Sequence, residues 1–181
     1  EDMPAPSAAF KLSATTVPSG EPVSCLVDKV LMGYSYEWSM PGADVEASTA
    51  VNASATYQMK GTYDITLKVT SPDGRTAKQT KQVTVSEVAP EAAFEISPMV
   101  IVKGETTYLK DLSKRGPNKW TWTLTSPAAE IVVNGQNSSL VPTEPGVYNA
   151  TLEVANSTGS DKALLERALI VCNADSKNGL S

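Results

Sequence analysis

Pro6-Ser7-Ala8-Ala9-Phe10 returns as Pro90-Glu91-Ala92-Ala93-Phe94, and the same spacing of 84 residues carries Ser13 to Ser97, Gly20-Glu21 to Gly104-Glu105 and Trp38 to Trp122. One inserted residue moves the spacing to 85, after which Gly61-Thr62-Tyr63 maps to Gly146-Val147-Tyr148, Thr66-Leu67 to Thr151-Leu152, Val69 to Val154 and Gly74 to Gly159. A repeat that keeps register over nearly all of each half decides the architecture before any local reading does: one small module is folded twice. It divides the 181 residues into a first domain at 1–87, a second at 88–174 and a tail at 175–181 that leads toward a further domain of a longer parent protein. Val88-Ala89-Pro90 becomes the linker, short and stiffened by proline. The two ends, Glu1-Asp2-Met3-Pro4 and Lys177-Asn178-Gly179-Leu180-Ser181, read as those of an excised piece.

Inside each copy the hydrophobic period is two. Tyr36-Glu37-Trp38-Ser39-Met40 and Trp120-Thr121-Trp122-Thr123-Leu124 alternate aromatic or apolar residues with polar ones, as half-buried strands do. The stretches Tyr63–Val69 and Tyr148–Val154 repeat the alternation, each opened by a glycine two residues before its tyrosine, and read as central strands. Turn residues at Pro18-Ser19-Gly20, Pro41-Gly42, Pro72-Asp73-Gly74, Arg115-Gly116-Pro117, Glu144-Pro145-Gly146 and Thr158-Gly159 cut the chain into short pieces. Leu164-Leu165-Glu166-Arg167-Ala168-Leu169 has helix-like spacing, but its partner in the first copy leads into Val83-Thr84-Val85, so the last strand is expected there. About seven strands in some 85 residues, with a Trp on the third and a Tyr opening the sixth, is the count of an immunoglobulin-like sandwich. The expected fold is all-β, two tandem sandwiches, each with a tyrosine corner and a core holding Phe10, Trp38 and Tyr63 or Phe94, Trp122 and Tyr148.

Composition removes whole classes of chemistry. With no histidine there is no Ser-His-Asp triad, no Cys-His pair and no imidazole ligand, and two cysteines do not make a Cys-rich zinc site. The strand Val23–Val27 places Cys25 on its apolar face as a small buried hydrophobe. Cys172 closes the last apolar run of the other copy, so two free thiols are expected. The net charge of −5 is shared between the halves, and Lys110, Lys114, Arg115 and Lys119 form the best local basic cluster, too sparse for a nucleic-acid platform. No apolar run approaches the ~18 residues of a membrane span, and the start carries no basic end followed by an apolar stretch.

Each half resembles a PKD domain, the immunoglobulin-like module of surface proteins. The resemblance rests on the Pro-x-Ala-x-Phe-like opening, Gly-Glu, the aromatic-x-Trp strand, Gly-x-Tyr-x-x-x-Leu-x-Val and the closing strand. Trp38-Ser39-Met40-Pro41-Gly42-Ala43 is similar to the Trp-x-Phe-Pro-Gly variant of gut-bacterial surface proteins. The second copy departs from it with Trp122-Thr123-Leu124-Thr125-Ser126-Pro127. The resemblance implies no catalysis and no cofactor, and an extracellular or cell-surface, lipoprotein-type setting in a bacterial protein, anchored by a segment outside this chain. It implies a spacer, adhesion or protein-interaction role beside neighbouring domains of the same polypeptide, or an accessory carbohydrate-binding role toward polysaccharide, with another surface protein as the alternative partner.

Tyr34, Tyr36 and Trp120 are the candidate ligand contacts, since a flat aromatic face covers the apolar side of a sugar ring; Tyr36 and Trp120 share the face of the core tryptophans, and Tyr34 is the least committed. Glu87, Glu91, Asp44, Glu46 and Asp73 have oxygen ligands for calcium but no spaced motif, and surface solubility is the better account of them. Asn52, Asn137, Asn149 and Asn156 each begin an acceptor triplet for N-glycosylation, a pattern that arises easily in a Ser/Thr-rich chain.

Overall fold

The alternating stretches form strands because each can bury one face and leave the other in water. In the segment Pro22-Val23-Ser24-Cys25-Leu26-Val27, for example, Val23 and Cys25 are fully buried while Ser24 and Leu26 are exposed. The structure, a computed structural model, describes residues 2–174 and divides into two units, Glu1–Val88 and Ala89–Ser181. The tail expected at 175–181 lies outside the described residues.

The first unit consists of Phe10–Leu12 (β1), Thr16–Pro18 (β2), Pro22–Val27 (β3), Ser35–Ser39 (β4), Ala47–Ser48 (β5), Ala53–Thr56 (β6), Gly61–Thr70 (β7) and Thr76–Ser86 (β8). They make a three-stranded sheet, β1-β3-β6, and a five-stranded sheet, β2-β8-β7-β4-β5. The second unit repeats the plan with Phe94–Ser97 (β9), Val100–Val102 (β10), Thr107–Asp111 (β11), Lys119–Thr125 (β12), Glu130–Asn134 (β13), Ser138–Leu140 (β14), Gly146–Ala155 (β15) and Ser160–Cys172 (β16). Its sheets run β14-β11-β9 and β10-β16-β15-β12-β13, the same order strand for strand.

Eight strands per unit replace the expected seven because the opening strand serves both sheets. Phe10–Leu12 pairs antiparallel with β3, the chain then crosses, and Thr16–Pro18 pairs parallel with β8. Trp38 and Tyr63 therefore lie on the fourth and seventh strands rather than the third and sixth. Phe10 to Pro18 carries no turn residue strong enough to announce the crossing. The helix-like Leu164–Leu169 is strand, and a bulge explains its spacing. Ala150 pairs with Leu165 but Tyr148 with Leu169, so four steps along β16 match two along β15. Arg167 takes up the excess at φ 54°, with its N–H donating to Asn149 Oδ1 at 2.9 Å, and the consecutive leucines 164 and 165 are both exposed.

Each sandwich closes around its tryptophan. Trp38 is 2% exposed and Trp122 0%, and each receives a phenylalanine edge-on: Phe10 at 5.0 Å and 82°, Phe94 at 5.3 Å and 81°. Buried indole N–H groups need acceptors. Trp38 Nε1 donates to the carbonyls of Ala50 (3.1 Å) and Val51 (3.2 Å), and Trp122 Nε1 to that of Gly135 (2.9 Å), the same place in the repeat. The tyrosine corners match as well, with Tyr63 Oη donating to Met59 O at 2.7 Å and Tyr148 Oη to Glu144 O at 2.8 Å.

Tyr63 and Phe94 are half-buried, and their repeat partners Tyr148 and Phe10 are the fully buried ones. Tyr63 is displaced outward by Tyr57, which occupies the core itself and stacks on it at 4.1 Å; the position matching Tyr57 in the second unit is Pro142, which leaves the core place to Tyr148. Phe10 is covered by Lys81, whose ammonium lies 5.3 Å from the ring centre. By register Lys81, opposite Ile65, corresponds to Leu165, opposite Ala150, so the second unit has no cation at this place.

Candidate functional site

The three aromatic candidates are engaged by their own units. Tyr36 is 4% exposed and its hydroxyl accepts the N–H of Leu31 at 2.9 Å, so it presents no face to a ligand. Tyr34 is half-buried, and its hydroxyl donates to Pro4 O, where Arg75 also reaches the carbonyl of Met3 at 2.9 Å. Tyr34 and Arg75 thus hold the N-terminal segment against the first unit. Trp120 packs half-buried against the second core with Nε1 donating to Asp111 Oδ2 at 2.9 Å, and its rim lines a shallow depression with Asn118, Lys119, Thr121, Asn134 and Gly135. Tyr34 and Tyr36 belong to one unit and Trp120 to the other.

The carboxylates are likewise dispersed: among the described residues no three His, Cys, Asp or Glu side chains converge as a metal site would require. Asp73 serves its turn. Its carboxylate accepts from Ser71 Oγ and from Arg75 Nε at 2.8 Å, and these partners, the Ser71 hydroxyl first, hold its pKa down to about 2. Because the folded value is depressed, what this turn contributes is present above the ordinary carboxylate range and lost as pH falls toward 2. The thiols are free; burial pushes Cys25 up to about 11, which keeps it a neutral packing group.

The four asparagines of the acceptor triplets bond their own backbones. Asn52 Oδ1 accepts the N–H of Val27 at 3.0 Å, and Asn137 Oδ1 that of Asp111 at 2.8 Å, the equivalent bond in each unit. Asn149 holds the β16 bulge, and Asn156 Oδ1 accepts from Thr158 (2.9 Å) and Gly159 (3.2 Å) in the β15–β16 turn. The signal for the first pair was in the sequence: Asn52 and Asn137 stand 85 apart, the offset of the repeat.

Two packing details explain motifs and yield tests. Gly42, in the Trp-Ser-Met-Pro-Gly segment, sits at φ 89°, and a Cβ there would lie 2.6 Å from Tyr63 Cε1. That motif's glycine and the tyrosine corner are therefore one device. Gly42→Ala is expected to cost about 1–3 kcal/mol from the left-handed backbone and the clash with a ring already tethered to Met59, read as a lower urea midpoint. The second unit has Ser126 at this place and closes the turn through its hydroxyl, which accepts from Ala128 (3.3 Å) and Ala129 (3.1 Å). The second detail is the buried Tyr57 hydroxyl, which has no hydrogen-bond partner and whose pKa burial pushes up to about 12. Tyr57→Phe removes an unsatisfied polar atom and keeps the ring, so equilibrium unfolding should show stability unchanged or raised by about 1 kcal/mol; a loss above that would mean the hydroxyl has a partner.

The outer face of each five-stranded sheet is open to solvent. In the first unit it is polar: Glu37 pairs with Lys68 at 3.8 Å, and Thr66 and Thr80 hydroxyls meet at 2.8 Å. In the second, the row Val132-Thr123-Thr151-Leu164 crosses four strands, with Val132 54% and Leu164 63% exposed. Below it Glu153 and Lys162 pair at 3.1 Å.

Residues 7–84 match the family model of the PKD domain. No curated protein matches the chain in sequence. Among solved structures it is similar to murine CEACAM1b, at 12% identity over 90% of this chain and 98% of that one, with a TM-score of 0.37. The ectodomain of mouse nectin-like molecule 4 is 21% identical over 92% of this chain and 64% of that one, TM-score 0.43. The fibronectin(III)-like modules of Clostridium thermocellum CbhA are 12% identical over 92% and 95%, TM-score 0.33. Likenesses this loose carry no argument by themselves. With the family model on residues 7–84, and the same strand order, tryptophan packing and tyrosine corner in the second half, the chain is a tandem of two like β-sandwich domains, the first of them matching the PKD domain.

Proposed function

We propose that this chain is a non-catalytic spacer and protein-interaction segment of a larger extracellular or cell-surface protein. The observation that carries the reading is how most of the aromatic residues are used: Trp38, Trp122, Phe10, Tyr36, Tyr57 and Tyr148 are buried in the two cores, and among the described residues Tyr108, on the three-stranded sheet of the second unit, is the one aromatic side chain more than half exposed. A hydrolase needs convergent ionisable groups around a cavity, and Asp73 and Asp111 serve turns while Glu37 and Glu153 sit in surface pairs. Neighbouring domains of the same polypeptide and another surface protein are the partners this reading names.

A carbohydrate-binding role is the second reading, supported by Trp120 at its depression among Asn118, Thr121 and Asn134. Affinity electrophoresis of the whole chain through gels containing soluble polysaccharides separates the two. The spacer reading expects unretarded migration in every gel. Retardation by one polysaccharide that Trp120→Ala abolishes would replace it with the carbohydrate reading.

A further inference from the structure

Every open sheet has two edges, and edges are where unpaired backbone groups invite another strand. In the first unit the five-stranded sheet ends on β2, three residues closed by Pro18, and on β5, two residues long. In the second it ends on β10, three residues, and on β13, Glu130-Ile131-Val132-Val133-Asn134. At five residues β13 is the longest edge strand among the described residues, and it has no proline, no lysine and no bulge, Glu130 being its one charge.

Its backbone direction follows from the flanking bonds. Ser126 N donates to Ala129 O at 2.8 Å and Gly135 N to Trp120 O at 3.2 Å, so residues 129 and 135 face β12. Antiparallel partners alternate between bonded and non-bonded pairs; Ile131 and Val133 therefore also bond to β12, and the N–H and C=O groups of Glu130, Val132 and Asn134 point away from the sheet. Three donors and three acceptors stand in a row at the rim.

We propose that β13 pairs antiparallel with β13 of a second copy of this chain, about a two-fold axis through Val132. In that register Val132 faces Val132, Glu130 faces Asn134 and Ile131 faces Val133. All three outward residues fall in bonded pairs, giving six N–H···O bonds. The strand is complementary to itself: the register sets the single carboxylate against a neutral amide rather than another carboxylate, and joins the apolar 131–133 segments on both faces. The outer row Val132-Thr123-Thr151-Leu164 then runs on into its symmetry mate. A two-fold contact uses the same patch on both molecules and closes on itself, so it stops at a dimer. So small a contact makes a transient dimer. This pairing stands independently of the spacer reading.

Sedimentation equilibrium of the full chain, from low micromolar to about 1 mM, tests it with four variants. The wild-type chain should shift from monomer to dimer. Val132→Pro removes an N–H that points away from β12, and Val132→Lys puts two cations at the axis; both should stay monomeric with an unchanged circular dichroism spectrum and unfolding midpoint. Asn134→Glu sets carboxylate against Glu130 and should weaken the dimer about tenfold or more, whereas Asn134→Lys sets an ammonium there and should tighten it. In the wild type, amide exchange at Glu130, Val132 and Asn134 should slow as the dimer forms. A chain monomeric to 1 mM overturns the proposal, as does a dimer that persists in Val132→Pro or responds alike to both Asn134 variants. Protection of these amides only on adding a different protein would assign the edge to that partner.

Discussion

Trp38→Ala should destabilise the first unit by about 3–5 kcal/mol and leave the second at its wild-type stability, with Trp122→Ala doing the reverse. The size follows from what each indole touches: no solvent, one phenylalanine edge-on, and an N–H bond to a loop carbonyl whose acceptor would be orphaned by truncation. Separation follows from the cores. One draws on Ala8 to Val85, the other on Ile96 to Val171, with partly buried residues of the same unit around each. Calorimetry reads the effect directly, since in a domain of this size each kcal/mol moves the midpoint by roughly 4–8 °C. Fluorescence reads it independently: the first unit holds one of the three tryptophans, so Trp38→Ala leaves an emission signal reporting on the second unit alone. That signal should melt as in the wild type while the heat absorbed by the first unit moves to lower temperature. Equal shifts of both transitions would mean that the halves share one core.

The repeat made most of this fold legible. An offset of 84 or 85 predicts Trp38 and Trp122, Phe10 and Phe94, and Gly-x-Tyr at 61–63 and 146–148 as matched pairs, and the bonds they make are matched too. Legibility failed where one residue's role depends on a neighbour that the repeat does not conserve. Tyr63 reads like Tyr148, yet Tyr57 beside it displaces it outward, and Pro142 at the matching place cannot do the same. It failed also where strands change partner without a turn, as between Leu12 and Thr16, and where a bulge imitates helical spacing, as at Leu164–Leu169. Asn52 and Asn137 looked like glycan acceptors because the triplet is a short local pattern; their common offset pointed to the backbone bond they share. The β13 edge is invisible to alternation, since Glu130-Ile131-Val132-Val133-Asn134 reads the same whether a strand flanks it on one side or on two.

A chain cut after residue 88 should fold alone, keep its β circular dichroism and unfold in one cooperative transition at the midpoint the first unit shows in the whole chain. The argument is one of completeness. Residues 8–86 supply both sheets, every strand in them, the Trp38–Phe10 contact, the Tyr63 corner and the turn at Ser71–Arg75 with its Asp73 ion pair, and Lys60 bonds Glu87 at 2.9 Å just inside the cut. A sandwich of this length is small enough that marginal stability, about 5 kcal/mol or a little more, is expected, and small enough to be two-state. Trp38→Ala in the fragment should therefore leave only about 0–2 kcal/mol of stability at 25 °C, enough to unfold up to about half of the population, a far larger readout than in longer domains. The complementary piece, 89–174, carries its own Trp122, Phe94 and Tyr148 and should behave likewise, so that the near-ultraviolet spectra of the two pieces add to that of the whole. A fragment that is unstructured while the intact chain is folded would show that the first sandwich borrows stability from the second. That result would remove the basis for a spacer, because a spacer needs modules that hold their shape without help from the next one in line.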